Sequence, residues 1–141
     1  DLLEKSFVIY RLKSFSRNLR NEITRGQKIY FWDLGIRNSL IRNFNDRDLR
    51  TDWGNMFENF WIIERLKQNS YNLQFINSYF WRTHAQEEID YIEESQGKLH
   101  AYEIKWQKAK TKPVSQFFQA YPGAEWTIIN QDNCLDSLIQ P

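Results

Sequence analysis

Alternation of apolar and polar positions predicts several short strands along the 141-residue chain. In the N-terminal third, the runs FVIYRLKSF (7–15) and KIYFWD (28–33) alternate as half-buried strands do. The runs EIDYIEES (88–95) and KLHAYEIKW (98–106) alternate in the same way, and SYFWRT (78–83) and EWTIINQ (125–131) are predicted as two further strands. Six strands of this length predict a sheet as the centre of the fold.

Three helices are predicted around these strands. The clearest is WGNMFENFWIIERLKQ (53–68), whose apolar residues gather on one side of a helical wheel. A short helix follows the second strand (34–44), and KPVSQFFQAY (112–121) forms another, with a proline near its start. The run 16–27 is interpreted as a loop or a poor helix. From residue 53 onward the predicted order is helix, three strands, helix, strand.

Two acids on the long helix need an explanation. On the wheel, Glu58 lies at the border of the apolar arc, about 140° from Trp53, whereas Glu64 falls inside the arc near Phe57 and Phe60. Either acid extends towards solvent or pairs with Arg or Lys, or it has a function.

The segment SQGK indicates a tight hairpin with Gln96 and Gly97 as its two-residue loop, because glycine tolerates a positive φ. If Ser95 faces Lys98, the register of the whole hairpin is defined. Asp90 then lies opposite Glu103, and Glu88 lies opposite Lys105. Alternation places all four charged residues on one face of the sheet.

Opposed carboxylates repel each other, and burial raises this cost or forces a proton onto one acid. A divalent cation held by Asp90 and Glu103 would remove the repulsion, and a small set of carboxylate oxygens suits Mg²⁺, or Mn²⁺. Lys105 would then orient the attacking water or the scissile phosphate. The alternative is that Glu88 with Lys105, or Glu103 with Lys105, forms a surface ion pair worth about 0.2–1 kcal/mol.

Charge is unevenly distributed along the chain, although the formal net charge is only +1. Residues 1–50 contain eleven Lys or Arg against six acids, whereas residues 51–141 contain eight against twelve. The N-terminal part is therefore the better candidate for a polyanion-binding surface. A solvated basic surface without function is the alternative for its arginines, which include Arg11, Arg17, Arg20, Arg25, Arg37 and Arg42.

Cysteine and histidine content argues against several classes of site. With Cys134, His84 and His100 as the only such residues, neither an internal disulfide nor a cysteine-built zinc site is expected. This composition favours the reducing cytoplasm. No apolar run approaches the roughly 20 residues of a membrane span, so no membrane association is expected. The chain lacks an initiator Met, and we expect it to be part of a longer protein.

The order of elements, with an aspartate and an E-x-K pattern on the second and third strands, resembles the PD-(D/E)XK nuclease-like fold. Four blocks strengthen the resemblance: KIYFWDLGIRNSL, GNMFENFWIIERL, YFWRTHAQEEIDYIEE and LHAYEIKW. In this order they resemble the domain of unknown function at the C-terminal end of many bacterial and archaeal AAA-type ATPases. The resemblance covers nearly the whole chain.

The resemblance implies a role for each site residue. Asp90 and Glu103 become metal ligands, Lys105 the catalytic lysine, and Glu58 the acid of a G-x-x-x-E pattern that begins at Gly54. Glu64 is the secondary candidate for the helix acid. Nuclease-like relatives also carry Gln and Tyr on the helix after the lysine strand; here Gln116, Gln119 and Tyr121 depart from that spacing by one residue. No proline precedes Asp90, which departs from the motif.

The resemblance also implies an α/β organisation: a mixed central sheet flanked by helices, with a nuclease-like αβββαβ core at 51–141. Residues 1–50 would form a basic extension, at the edge of a winged-helix region, whose strand and short helix pack on the core. The expected partners are nucleic acid, DNA foremost, and the ATPase and winged-helix domains of the same full-length chain; self-association stays open. This segment lacks a G-x-x-x-x-G-K-[ST] loop, so we expect no ATP hydrolysis from it.

Two functions remain open from the sequence. The first is Mg²⁺-dependent phosphodiester hydrolysis by a nuclease-like domain that engages nucleic acid. The second is a catalytically silent module that keeps the fold and binds DNA or protein.

Overall fold

A mixed six-stranded sheet organises the chain in a computed structural model, which describes residues 2–17, 22–23, 26–108 and 110–139. The strands are β1 (Ile9–Ser14), β2 (Gln27–Phe31), β3 (Asn77–Arg82), β4 (Glu88–Ser95), β5 (Lys98–Ile104) and β6 (Glu125–Ile129). They lie in the order β2-β1-β3-β4-β5-β6, with β1 parallel to β3 and β5 parallel to β6. The other neighbouring pairs are antiparallel. The predicted α/β fold with a mixed central sheet is confirmed.

Helices flank the sheet: α1 (Leu2–Lys5), α2 (Leu34–Leu40), α3 (Trp53–Tyr71), α4 (Ser115–Ala120) and α5 (Cys134–Ile139). A short 3-10 helix covers Arg47–Leu49. The Asp33 side chain caps the start of α2 by accepting a hydrogen bond from the backbone N–H of Ile36. The three predicted helices are present, whereas α1, α5 and the 3-10 helix were not predicted, because each is too short for a periodic pattern. No helix in the described part of the chain is long and apolar enough to cross a membrane.

The run 16–27 was interpreted as a loop or a poor helix. Residues 18–21 and 24–25 of this run lie outside the described residues. Glu22, which is described, forms an isolated antiparallel bridge with Thr83 next to the end of β3.

Two aromatic-rich cores cover the two faces of the sheet. On one face, α3 buries Trp61 and Ile62 against Tyr91 and Tyr102. On the other face, α4 contributes Phe117 to a cluster with Phe15, Trp81, Ile89, Ile92, Ala101 and Tyr121. Burial of each large apolar side chain contributes about 1.5–3 kcal/mol, so the sheet is held from both sides.

The hairpin between β4 and β5 has the predicted register. Gln96 and Gly97 both adopt positive φ, 50° and 77°, as a two-residue hairpin turn requires. Paired residues run from Ser95 with Lys98 to Tyr91 with Tyr102. The prediction of the turn and of this register is confirmed up to Tyr91.

Beyond Tyr91, the alternation predicted for the strand at 88–95 is wrong, because β4 contains a bulge. Tyr79 of β3 pairs with Ile92, whereas Trp81, two residues later, pairs with Ile89, three residues earlier. One extra residue of β4 therefore faces this part of β3. As a result, Ile89 and Ile92 both join the core on the α4 side, and the intervening Asp90 is redirected.

Candidate functional site

Four carboxylates and two lysines meet where β2 and β4 begin and β5 ends. We call them the carboxylate–lysine cluster; its members are Lys28 of β2, Glu58 of α3, Glu88 and Asp90 of β4, Glu103 of β5 and Lys105 directly after β5. The cluster combines residues that are far apart in sequence, and the sheet order brings them together. It includes every residue to which the sequence analysis assigned a primary role in metal binding or catalysis.

Asp90 is the most buried acid of the cluster, with 6% of its surface exposed. Its Oδ2 accepts a hydrogen bond of 2.8 Å from the backbone N–H of Ile104, the last residue of β5. The same oxygen lies 3.4 Å from Lys105 Nζ, and Oδ1 lies 3.7 Å from Lys28 Nζ. The bulge thus turns the Asp90 carboxylate towards the end of β5, where a backbone donor fixes it.

Lys105 joins the acids of β4 and β5. Its Nζ lies 2.7 Å from Glu103 Oε1, in addition to its contact with Asp90, and its backbone N–H donates to Ile129 of β6. Burial and the negative charge of Asp90 raise the pKa of Glu103, and Lys105 offsets this only in part. Burial by itself would lower the pKa of Lys105, but Asp90 and Glu103 outweigh it and raise the pKa, which keeps the ammonium charged.

Lys28 lies among the remaining acids. Its Nζ is 2.5 Å from Glu88 Oε1, 3.1 Å from Glu58 Oε1 and 3.7 Å from Asp90 Oδ1. The ammonium also lies 5.6 Å from the centre of the Phe80 ring, a cation–π distance. Burial disfavours its charge, but Glu58, Asp90 and Glu88 together raise its pKa. Lys28 is therefore a charged cation shared by three carboxylates.

Tyr30 supports the Glu58 side of the cluster. Its hydroxyl donates a 2.6 Å hydrogen bond to Glu58 Oε1, the same oxygen that contacts Lys28. Burial, followed by the charge of Glu58, raises the pKa of Tyr30 far above its ordinary value, so the hydroxyl remains a neutral donor. Lys28 and Tyr30 are two residues apart on β2 and therefore share a face.

Sequence reasoning missed Lys28 and Tyr30. The alternation in KIYFWD placed them on one face of a predicted strand, which was the available signal. The sequence did not reveal where that strand lies in the sheet. Strand β2 pairs with β1, and β1 pairs in parallel with β3, which is distant in sequence.

The structure separates the two helix acids. Glu58 reaches the cluster, whereas Glu64 pairs with Lys67 at 2.6 Å and its side chain is 37% exposed. The prediction that Glu64 lies inside the apolar arc of the helix is wrong. The buried residues of α3 also include Asn59 and Ile62, so the buried side is centred at a different angle around the helix axis than the predicted arc.

The predicted pairing of Glu88 with Lys105 is also wrong. Strand β5 ends at Ile104, and the ion pairs that Glu88 forms in the described structure are with Lys28 and Arg82. The pairing of β4 with β5 ends at Tyr91 and Tyr102, so the hairpin register does not extend to Glu88.

The accessory residues on α4 lie outside the cluster. In the part of the chain that the structure describes, neither Gln116 nor Gln119 hydrogen-bonds to a cluster carboxylate, although both lie on α4 as predicted. Tyr121 is buried on the α4 side of the sheet, where its hydroxyl donates to Glu22 at 2.6 Å.

An open groove of about 480 Å³ adjoins the cluster. It is lined by Lys28, Ile29, Tyr30, Phe31, Arg37, Asn55, Glu58, Asn59, Arg82 and Glu88. This volume falls within the roughly 300–1,000 Å³ typical of small-molecule sites. The groove therefore gives solvent, and a ligand of nucleotide size, access to Glu58 and Glu88.

Many of the basic residues expected to form a polyanion surface are engaged in ion pairs. Arg17 pairs with Glu94 at 2.7 Å, Arg37 with Asp52 at 2.8 Å, and Arg11 lies 3.6 Å from Glu4. Arg20 and Arg25 fall outside the described residues. Other basic side chains are exposed, among them Lys13, Arg42 and, after β5, Lys108, Lys110 and Lys112, so a basic nucleic-acid surface remains a prediction.

The donor chemistry of the cluster fits a hard divalent cation, since carboxylate oxygens are the ligands that Mg²⁺ prefers. The present side-chain positions suit ammonium groups. Within residues 2–17, 22–23, 26–108 and 110–139, no three acidic, histidine or cysteine side chains converge on a common metal position. Lys28 and Lys105 lie between the acids and neutralise them.

Two family models match the chain. One, described as a domain of unknown function (DUF4143), matches residues 53–133 and contains Glu58, Asp90 and Lys105. The other, also described as a domain of unknown function (DUF8612), matches residues 1–47 and contains Lys28. No curated protein and no solved structure matched the chain. The carboxylate–lysine cluster thus draws on both matched segments.

Proposed function

The chain belongs to the family described as a domain of unknown function (DUF4143), and we propose that it is the nuclease-like module of a larger prokaryotic ATPase. In this proposal it engages nucleic acid, DNA foremost, and hydrolyses phosphodiester bonds with Mg²⁺. The observation that carries the proposal is the position of Lys105 directly after β5, where its Nζ lies 3.4 Å from Asp90 on the bulged strand β4 and 2.7 Å from Glu103.

The order of elements supports this proposal. From residue 53 the chain runs α3, β3, β4, β5, α4, β6, which is the αβββαβ order of the PD-(D/E)XK nuclease-like fold. Asp90 lies on the second strand of this series, and Glu103 lies near the end of the third. A β-bulge beside a polar site is a common device for re-aiming one side chain.

Asp90, Glu103 and Glu58 are the residues that would hold a divalent cation. When bound, such an ion polarises the phosphate and lowers the pKa of a coordinated water. The ammonium of Lys105, kept charged by its two acids, would orient a phosphate oxygen or the attacking water. Arg37 and Arg82 line the adjoining groove, where they would contact the backbone phosphates of a bound strand.

A second function is favoured by the position of Lys28. Its ammonium contacts Glu58, Glu88 and Asp90, so the acids are neutralised without any metal. A domain that keeps this state permanently would be a catalytically silent module, and the groove beside it would bind DNA or protein.

The test measures the melting temperature as Mg²⁺ is titrated, and it measures cleavage of DNA in parallel. Both measurements are made on this domain and on the full-length ATPase. Asp90→Asn and Glu103→Gln each remove a metal ligand, so both should lose metal-dependent stabilisation and cleavage. Lys105→Ala should still bind Mg²⁺ but lose cleavage, because it removes only the group that positions water or phosphate. Asp136→Asn, which changes an exposed acid of α5, is the matched control and should behave like the unmodified protein.

The two functions predict different outcomes. Mg²⁺-dependent cleavage that Asp90→Asn abolishes and Asp136→Asn does not would support the nuclease. Binding of DNA or protein without any Mg²⁺-dependent change in melting or cleavage, in the full-length ATPase, would leave the silent module.

A further inference from the structure

We propose that Lys28 is the internal cation of the carboxylate–lysine cluster, and that it competes with a divalent cation for Glu58 and Asp90, two of the three proposed metal ligands. The inference rests on the proposed metal-dependent function. It adds that Lys28, a residue of the N-terminal segment, lowers the affinity of the site for the metal. In the metal-free protein, the ammonium stabilises three acids that would otherwise repel one another. When a divalent cation binds, the ammonium leaves this position.

The contacts of Lys28 are those of a bound cation. A lysine ammonium is a compact charge with three hydrogen-bond donors, and here three carboxylates surround it at 2.5, 3.1 and 3.7 Å. The side chain is 21% exposed, and its ammonium lies over the Phe80 ring. Such a position differs from an exposed surface ion pair, in which one lysine meets one acid in water.

Within the described residues no other cation contacts the same three acids, although Arg82 also pairs with Glu88 at 3.2 Å. Lys105 contacts Asp90 and Glu103, and Tyr30 donates to Glu58 without carrying charge. Among the described residues, Lys28 is the only cation that pairs with Glu58. Loss of its charge would leave Glu58 without a paired cation and Glu88 with Arg82 alone, and a divalent cation would relieve the repulsion between the acids.

The displaced ammonium has an adjacent space to occupy. Lys28 also lines the 480 Å³ groove, and its four-carbon stem has several rotatable bonds. The ammonium would turn towards this groove, where a phosphate backbone is proposed to lie. Lys28 thus links metal entry to the charge of the substrate groove.

This arrangement connects the two segments that the family models match. Lys28 lies within residues 1–47, whereas the three acids it contacts lie within residues 53–133. The β1–β2 pair carries Lys28 to the cluster by joining the sheet next to β3. The segment 53–133 therefore contains the three acids but lacks Lys28, the one cation in the described structure that contacts all of them.

The experiment compares Mg²⁺ affinity in Lys28→Met and Lys67→Met by titration calorimetry. Both variants remove one ammonium from an ion pair with a glutamate, but Lys67 pairs with Glu64 outside the cluster. Lys28→Met should bind Mg²⁺ about tenfold more tightly than the unmodified protein, because a competing positive charge a few ångströms away is removed. Lys67→Met should bind like the unmodified protein, and Lys28→Arg, which keeps the charge, should show no gain.

A measurement on the unmodified sequence covers the case in which Lys28→Met does not fold. With lysine labelled at Cε, NMR should show the Lys28 resonance shift as Mg²⁺ saturates the site, whereas the Lys67 resonance stays constant. A purely structural Lys28–Glu88 pair would give no such shift.

The outcomes separate this inference from the proposed function. Mg²⁺ binding that Asp90→Asn abolishes, with Lys28→Met binding no more tightly and the Lys28 resonance unmoved, would overturn the inference and leave the metal-dependent function intact. Absence of Mg²⁺ binding in the unmodified protein and in Lys28→Met alike would overturn both.

Discussion

At the scale of single residues, Tyr30 is the neutral partner that completes the Glu58 side of the cluster. It is 5% exposed, and its hydroxyl shares Glu58 Oε1 with the ammonium of Lys28. A carboxylate that accepts two such bonds is held in one direction, which positions it for a cation. The contribution of Tyr30 is therefore to stability and to orientation together.

Tyr30→Phe tests this contribution. The substitution keeps the ring in the core but removes a hydrogen bond to a charged acceptor, which typically contributes about 1.5–3 kcal/mol. We expect a loss of free energy of unfolding at the lower end of this range, because the Glu58 side chain is 20% exposed. Urea unfolding measures it.

Tyr71→Phe is the control for Tyr30→Phe, because Tyr71 is 77% exposed at the end of α3. It should leave the free energy of unfolding unchanged. Equal stability of the two variants would show that the hydroxyl of Tyr30 makes no net contribution.

The sequence predicted one of the two lysines of the cluster, Lys105, and not the other. Opposition of Asp90 and Glu103 predicted a repulsion that a cation must relieve, and the structure places Lys105 against both acids. Lys28 was not foreseen, since it is separated from Glu58 by 30 positions along the chain and no local signal reveals their contact. Long-range pairing of strands decides which cations reach the acids.

At the scale of elements, the helix–strand link between α3 and β4 depends on a buried ion pair. Glu93 accepts two 2.9 Å hydrogen bonds from Arg65, one of 2.7 Å from Asn69 and one of 3.1 Å from Tyr102. Glu93 is 5% exposed. This network fixes α3 against β4, the two elements that supply Glu58 and Asp90.

Arg65→Met should destabilise the domain by about 3–5 kcal/mol, because it leaves the buried carboxylate of Glu93 without its cation. The double variant Arg65→Met/Glu93→Met should regain most of this loss, since two apolar side chains replace the charges. Chemical denaturation of the two variants gives the comparison.

Arg47→Met supplies the control for Arg65→Met, as Arg47 and Asp48 form an exposed pair. Its effect should stay within about 1 kcal/mol. A double variant as unstable as Arg65→Met alone would contradict the ion-pair account.

Elements differ in how well local pattern predicts them. The hairpin turn was predictable, because Gln96 and Gly97 are the only residues between two alternating runs. The bulge in β4 was not, because it is defined by pairing with β3, and alternation within EIDYIEES contains no extra residue to reveal it. The site depends on this bulge, so its geometry required the structure.

At the scale of the whole molecule, the sheet unites the two parts that the sequence analysis treated as extension and core. Leu12 of β1 and Phe15, directly after β1, are 0% and 2% exposed, and they lie in the two different cores. Strand β1 also covers the edge of β3. Residues 1–50 are thus part of the packing of the 51–141 segment.

The fragment 51–141 should therefore fail to fold alone. Deletion of residues 1–50 exposes the edge of β3 and removes side chains from both cores. An unpaired strand edge favours aggregation. Circular dichroism and limited proteolysis of this fragment, with the full 141-residue chain as control, measure the effect. A fragment that melts cooperatively would show that residues 51–141 form an independent domain.

The most direct test of the central claim is a crystal structure of the domain in Mn²⁺, with the ion located by its anomalous signal. We expect a peak beside Asp90, between the carboxylates of Glu58 and Glu103, with Lys28 moved away from Glu58 and Glu88. Crystals saturated with Mn²⁺ that show no peak there, with Lys28 and Lys105 still bound to the acids, would contradict the proposal that this cluster is a metal site.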